Sequence, residues 1–413
     1  MKKLKIIHLL SDKSIVPSPQ QGAVQNVATN LADQLAGKHD TYIVSCLGKD
    51  QKQYELINGV HYLRVMHRLK GFYHYVNKLS FNASYYEYLL TSAFVIKKLM
   101  PDILIVHNRP DYVQLLRKHL GNAVKIILHE HNHNIRDMFS ERKARRILDE
   151  TDLIIELSEY SKNYDITEKY SKYAGKACVI NNAVDSMIFR PYWESENKRR
   201  QLRKEHGLEN KTVILFAGAI RERKGIHVLV DAMEKLINDH SDTVLLIAGG
   251  SAQNTNATDS FSKKVFKKAK QLGDKIKILG FIPHSEMPDI YLMADIFCAP
   301  SVWDEPFGLI LVEAMATGLP VVSSKRGGIP EIVEDRKTGL LVENPEDAIC
   351  LADSLTTLLN DHKMRTSMGR KGRERVENNF SWKDSAQQLN KILTIVENKR
   401  LNKFRRFDRR VGN

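Results

Sequence analysis

Two glutamates with seven residues between them, Glu305 and Glu313, stand in the densest run of unusual residues in the chain. That run reads Pro300-Ser301-Val302-Trp303-Asp304-Glu305-Pro306-Phe307-Gly308-Leu309-Ile310-Leu311-Val312-Glu313-Ala314-Met315-Ala316. It follows a strand-like segment, and Pro306 sits where a helix can begin. A helix starting there offers the free amides of Phe307, Gly308 and Leu309 to an anion. Glu313 falls about two turns later in an otherwise apolar stretch, and a buried carboxylate needs a partner. Sugar or ribose hydroxyls, which donate hydrogen bonds, meet that need. A structural assignment stays open beside it, in which Glu305 caps the helix and Glu313 meets a core arginine.

A second cluster, Leu215-Phe216-Ala217-Gly218-Ala219-Ile220-Arg221-Glu222-Arg223-Lys224-Gly225, again reads as strand, glycine turn and helix. Lys224 at the head of that helix adds its charge to the helix dipole, a combination suited to a diphosphate. Near the amino terminus, Gln21-Gly22-Ala23 joins the first strand to its helix, and Gly22 allows close approach of backbone to a phosphate. His129-Glu130-His131-Asn132-His133 is the remaining constellation. Three alternating histidines bind zinc if a strand continues through them, with Glu130 as a base. Asn132 and Asn134 argue that the strand stops, so no metal is expected there. No Asp-x-Asp pair of the metal-holding kind follows a strand elsewhere.

The elements that must position these residues alternate from end to end as strands and helix-period segments, the pattern of a mostly parallel sheet. The expected strands are Leu4–Leu10, Tyr42–Ser45, Ile103–Val106, Lys125–Leu128, Leu153–Leu157 and Ala177–Ile180, then Thr212–Ala217, Val244–Ala248, Lys277–Leu279, Ile296–Ala299, Pro320–Ser323 and Gly339–Val342. Val24, Val27, Ala28, Leu31 and Leu35 mark one apolar helix face between the first two. Phe189 to Asn210 is charged and contains Pro191, which reads as a linker. Two doubly wound domains follow, 1–190 and 191–380, the first completed by a terminal helix at 381–413. The cleft between them is the expected site, at the carboxyl ends of the strands.

A chain of 413 residues exceeds one ordinary core, and 42% hydrophobic with 27% charged residues is the balance of a folded, water-soluble protein. The start, Met1-Lys2-Lys3-Leu4-Lys5-Ile6-Ile7-His8, lacks an uninterrupted apolar run, so it reads as a first strand and the expected location is cytoplasmic. Four scattered cysteines suit reduced thiols rather than disulfides or a zinc site. The formal charge of +14 is uneven, because Lys399 to Asn413 carries seven basic residues against Asp408. With Phe404 and Phe407 interleaved, that tail suits either a peripheral contact with anionic lipid or a solvated terminus. Charge alone, without a recognition motif, does not support nucleic-acid binding.

These residues resemble the retaining nucleotide-sugar glycosyltransferases of family 4, whose two Rossmann-like domains face each other across a cleft. The resemblance is carried by the Glu305/Glu313 spacing with Phe307-Gly308 between. Leu279-Gly280-Phe281, Ala294-Asp295, Gly318-Leu319-Pro320-Val321-Val322, Gly327-Gly328-Ile329-Pro330-Glu331 and Thr338-Gly339-Leu340-Leu341-Val342 carry it further. It is dense from Leu215 to Asp347 and looser before that. It implies that Glu313 holds the donor ribose and Glu305 contacts the transferred sugar. Phe307, Gly308 and Leu309 amides would line sugar and phosphate, Lys224 would neutralise the leaving diphosphate, and Gly22 would face that diphosphate from the other domain. His129 is similar in position to the family histidine that reaches the donor sugar. One departure stands out: the family arginine five residues before the lysine is Ala219 here, with Arg221 or Arg223 as substitutes. The implied function is transfer of a hexosyl or N-acetylhexosaminyl group, from a UDP-sugar by preference, without metal or cofactor. The implied acceptor is a glycan or lipid-linked glycan of envelope or spore-coat polysaccharide. The alternative is a catalytically degenerate nucleotide-sugar binder. Aromatic residues between Leu63 and Leu90, including Phe72, Tyr73, Tyr75, Phe81, Tyr85, Tyr86 and Tyr88, are the expected acceptor side.

Overall fold

Uninterrupted β-branched and aliphatic runs make fully buried parallel strands, and the polar residues at their ends mark where loops leave the sheet. The structure, a computed structural model, describes residues 2–18, 22–66, 80–250 and 260–411. Gln21, Phe72, Tyr73 and Tyr75, and the side chains of Phe81 and of the basic run from Lys399, lie outside the described residues. Two compact units result: Met1–Asn181 joined by the segment that begins at Trp382, and Asn182–Ser381.

The first unit holds β1 (Lys5–Leu9), β2 (Asp40–Cys46), β3 (Tyr54–Ile57), β4 (Val60–Val65), β5 (Ile103–His107), β6 (Lys125–His129), β7 (Leu153–Glu156) and β8 (Ala177–Val179). Their order is β3-β4-β2-β1-β5-β6-β7-β8, parallel except where β3 runs antiparallel to β4. The β3–β4 hairpin was not among the expected strands. It turns on Asn58 and Gly59, both at positive φ, the signature of a two-residue hairpin loop. The helix Trp382–Val411 returns to this unit, where Asn390 Oδ1 lies 2.7 Å from His39 Nε2 and Glu397 pairs with Lys2 at 3.2 Å.

The second unit holds β9 (Thr212–Ala217), β10 (Thr243–Ala248), β11 (Ile276–Gly280), β12 (Ile296–Ala299), β13 (Val321–Ser324) and β14 (Gly339–Val342). They form one parallel sheet in the order β11-β10-β9-β12-β13-β14. The division falls at Asn181/Asn182 rather than at 190/191, because Val184 N donates to Phe380 O and Arg373 holds the Phe189 carbonyl at 2.8 Å. Nor is Phe189 to Asn210 a linker. It contains the helix Glu196–Glu205, pinned to the sheet by Arg199 and Arg203, whose guanidinium groups grip Asp295 at 2.5 and 3.0 Å. Arginine stems replace aliphatic side chains on that helix face, which hides it from a hydrophobic-period reading.

Candidate donor site and the buried histidines

In the second unit β9 and β12 are neighbours, so the loops at their carboxyl ends meet. Ser301 Oγ and Val302 N both donate to the Arg223 carbonyl, at 2.9 and 3.0 Å. Lys224 closes a single 3₁₀ turn, Glu222–Lys224, and Gly225 then opens the helix Ile226–Leu236 in a left-handed conformation. A Cβ on Gly225 would collide with the carbonyl of Pro300, so only glycine lets the two loops touch. The meeting delivers Lys224 Nζ to Glu305 Oε1 at 2.6 Å, with Ser301 Oγ 2.9 Å from the same oxygen. Gly327 completes the clamp: a side chain there would strike the Glu305 backbone, and Gly328 N donates to Glu305 O at 2.7 Å.

That clamp corrects the expected helix start. Residues 304–308 stay outside the helix, Pro306 and Phe307 are buried with Phe307 against Phe380 at 5.9 Å, and the helix runs Leu309–Ala316 with Gly308 as its cap. The helical N–H groups that have no partner inside the helix therefore begin at Leu309, and Phe307 serves as a packing anchor. Glu313 lies within that helix, 3% exposed, and its partners are not the core arginine of the structural assignment. His284 Nε2 donates to Oε1 at 2.8 Å, and Tyr291 OH donates to Oε2 at 2.8 Å. The carboxylate beside it holds the His284 pKa above 6.5, while burial drives the Tyr291 hydroxyl up. Sequence reading missed both partners. The signal for His284 is its place in the loop that follows β11. Arg221 and Arg223 are exposed, and the Arg223 guanidinium lies over the Trp303 ring at 4.5 Å.

The first unit presents different chemistry at its strand ends. Gly22 is an exposed cap on the helix Ala23–Ala36 with an ordinary φ of −88°, and a Cβ there would meet only the end of the Gln25 side chain. His129 ends β6 opposite His107 of β5, and the chain then turns, so that His131 folds back beside both. His133 leaves the group and hydrogen-bonds Asp165 Oδ2 at 2.6 Å. His129 is 1% exposed, and neither ring nitrogen has a hydrogen-bond partner. Burial holds His107 and His129 far below the usual histidine range and His131 down to about 3. Glu130 and Glu156, equally buried, are pushed the other way, first by desolvation and then by neighbouring carboxylates.

Comparison with known proteins agrees with this architecture. Residues 24–187 match the model of Glycosyltransferase Family 4, and residues 198–375 match that of Glycosyl transferases group 1. The spore coat protein SA of Bacillus subtilis is 28% identical over 96% of this chain and 100% of its own. Among solved structures, sucrose-phosphate synthase from Thermosynechococcus elongatus superposes with a TM-score of 0.79 at 22% identity, covering 96% of this chain and 100% of that one. The UDP-glucose complex of Anabaena HepE does so with a TM-score of 0.74 at 18% identity, over 94% and 99%. No described helix is long and apolar enough to cross a membrane.

Proposed function

The chain belongs to the family 4 glycosyltransferases, and from that premise we propose that it transfers a hexosyl or N-acetylhexosaminyl group from a UDP-sugar to a glycan or lipid-linked acceptor. The observation that carries the donor assignment is the pair of clamped carboxylates, Glu305 on Lys224 and Ser301, Glu313 on His284 and Tyr291. Glu313 accepts the ribose hydroxyls. Lys224 and the amides from Gly308 and Leu309 take the diphosphate, whose charge they match without a metal ion. Glu305 orients the transferred sugar, and Gly22 and His129 are the residues of the first unit assigned to the donor. The uridine preference draws on the UDP-glucose complex of HepE, and the envelope or spore-coat role on the likeness to spore coat protein SA.

Configuration is retained by front-face displacement. The bond from the anomeric carbon to the diphosphate oxygen breaks, the acceptor oxygen bonds to the same face, and its proton passes to the departing phosphate oxygen. The second reading, a binder that does not turn over, is favoured by one observation, the alanine at 219.

The test is a thermal-shift panel of UDP-, GDP-, ADP- and dTDP-sugars in EDTA. A ligand at ~100 times its Kd adds ~2.7 kcal/mol, enough to raise Tm by several degrees. A shift with UDP-sugars that disappears in Glu313→Ala supports the donor assignment. No shift with any nucleotide sugar overturns it, and an inverted product anomer seen by NMR overturns the mechanism.

A further inference from the structure

Four histidines of the first unit pack into one buried nest at the carboxyl ends of β1, β5 and β6. His8 Nδ1 lies 3.0 Å from His107 Nε2, and His107 Nδ1 lies 3.2 Å from His131 Nε2. The His129 ring centre lies 4.3 Å from that of His131 and 5.1 Å from that of His107, both pairs tilted, and one ring nitrogen from each of these three lies within 4.8 Å of the others. Their exposures are 1%, 1% and 8% for His107, His129 and His131, so none of their lone pairs is satisfied by bulk water.

The set is compact enough for three rings to converge on one ion. A tetrahedral zinc-type ion with metal–nitrogen bonds of ~2.0–2.1 Å holds its ligand nitrogens about 3.3 Å apart, close to the His107–His131 separation. His129 supplies a buried nitrogen that no protein group uses. His8 is the outer residue: with His107 bound through Nδ1, the Nε2–H donates to His8 Nδ1, which fixes the ring and its tautomer. Among the buried carboxylates of this unit, Glu130 Oε2 accepts from Asn134 at 3.0 Å and Asp165 Oδ2 is hydrogen-bonded to His133 at 2.6 Å, while Glu130 Oε1, Glu156 Oε1 and Asp165 Oδ1 have no hydrogen-bond partner. A cavity of about 280 Å³ borders the nest at His107, lined also by Asn108, Arg109, Asp12, Ser11 and Gln25.

We infer that His107, His129 and His131 form a binding site for one transition-metal cation of the zinc class, with His8 positioning His107. The all-imidazole set selects Zn²⁺, Co²⁺, Ni²⁺ or Cu²⁺ over Mg²⁺ and Ca²⁺. It differs from the His129–His131–His133 set considered from sequence, because His133 pairs with Asp165 and β5 supplies the third ring. The cation is no part of the transfer chemistry. Resting on the proposed role of His129 at the donor sugar, the site is inhibitory, since a ligated His129 is withdrawn from substrate.

The experiment uses the full chain without a polyhistidine tag, stripped with chelator, loaded with Zn²⁺ and desalted. About one equivalent is expected by elemental analysis, with X-ray absorption counting three imidazoles and Co²⁺ giving the visible bands of a tetrahedral site. His131→Asn and His107→Asn should lose the metal, and His8→Phe should weaken it by roughly tenfold or more. Less than about one tenth of an equivalent in wild type, or fewer than three imidazoles in its spectrum, overturns the site whether or not the variants fold. Binding unchanged in a folded His131→Asn also overturns it. Inhibition of transfer by Zn²⁺ in wild type supports the His129 assignment. Metal held by three imidazoles with no effect on transfer leaves the site standing and overturns that assignment alone.

Discussion

At the strand ends of the second unit each functional carboxylate faces a cationic or donor group: Glu305 meets Lys224, and Glu313 meets His284 and Tyr291. At the strand ends of the first unit Arg109 pairs with Asp12 and Asp111 and His133 with Asp165, but the buried groups beside them lack such partners. Four imidazoles pack together, three of them stacked, and one carboxylate oxygen each of Glu130, Glu156 and Asp165 lacks a hydrogen-bond partner. The two solutions to burying polarity have different uses. Paired charges are set before a ligand arrives and need no reorganisation when it binds, which is what a charged donor requires. Unpaired groups shed charge through their protonation state, and so they respond to protons and metal ions instead.

The largest expected effect comes from breaking the pairing in the second unit. Lys224→Ala removes both the counter-charge of Glu305 and the proposed cation at the leaving diphosphate. We expect kcat/KM to fall roughly hundredfold, about 2.7 kcal/mol of transition-state stabilisation, with little change in Tm because Lys224 is partly exposed. Steady-state rates with the donor chosen by the thermal-shift panel read this directly. A fall below threefold would mean that the Lys224–Glu305 pair is structural.

Glycine gives the next comparison. Gly225→Ala forces a Cβ against the Pro300 carbonyl at φ 69° and should cost about 2–4 kcal/mol. Gly22→Ala, at φ −88° in open space, should stay within about 0.5 kcal/mol. At roughly 2–4 °C per kcal/mol, melting curves separate the two easily. Equal shifts would deny that the close loop approach belongs to the second unit alone.

How much of this was legible beforehand depends on the distance over which each feature is set. Thr212–Ala217, Ile296–Ala299 and Gly339–Val342 are read correctly because a buried parallel strand is a local apolar run. The β3–β4 hairpin was lost because Tyr54 and Leu56 alternate with less exposed residues at a sheet edge, although Asn58-Gly59 announced the turn. Glu305 and Glu313 were visible as a spacing, but Lys224 and His284 come from segments after β9 and β11, and Tyr291 from the helix Met287–Met293, which only the fold brings close. The helix start was misplaced because proline at the first helical position is a local preference. Gly327, striking the backbone at Glu305, is a long-range constraint that overrides it. The histidine nest fails for the same reason, since strand register, not sequence proximity, puts His107 beside His129.

Glu156 offers a smaller effect with an unusual sign. Its folded pKa is raised above 4.5, so the folded state holds a proton that the unfolded state releases. Stability is therefore greatest below 4.5 and falls as pH rises toward the folded value, by at most about 1.4 kcal/mol per pH unit. Glu156→Gln lacks that slope. Urea midpoints of variant and wild type should diverge in favour of the variant between pH 5 and pH 8. Parallel curves would place Glu156 among the partnered groups and erase this part of the contrast.

The smallest effect belongs to His284, and it runs with the opposite logic. Its folded pKa is raised above 6.5 by the Glu313 carboxylate, so the pair's contribution is complete below 6.5 and is lost as pH rises through the folded value. The side chain is 40% exposed, so solvent screens the pair and its worth stays below about 1 kcal/mol. Against His284→Asn, wild type should be slightly more stable at pH 6 and equal near pH 9, by denaturant midpoint. Donor binding should move the other way. An imidazolium holding Glu313 competes with the ribose hydroxyls, so UDP affinity of wild type should improve from pH 6 to pH 8 while that of His284→Asn changes less. Stability and affinity moving together would mean that the ribose does not use Glu313. The opposed slopes would mark His284 as the group that keeps the carboxylate paired until the donor takes it.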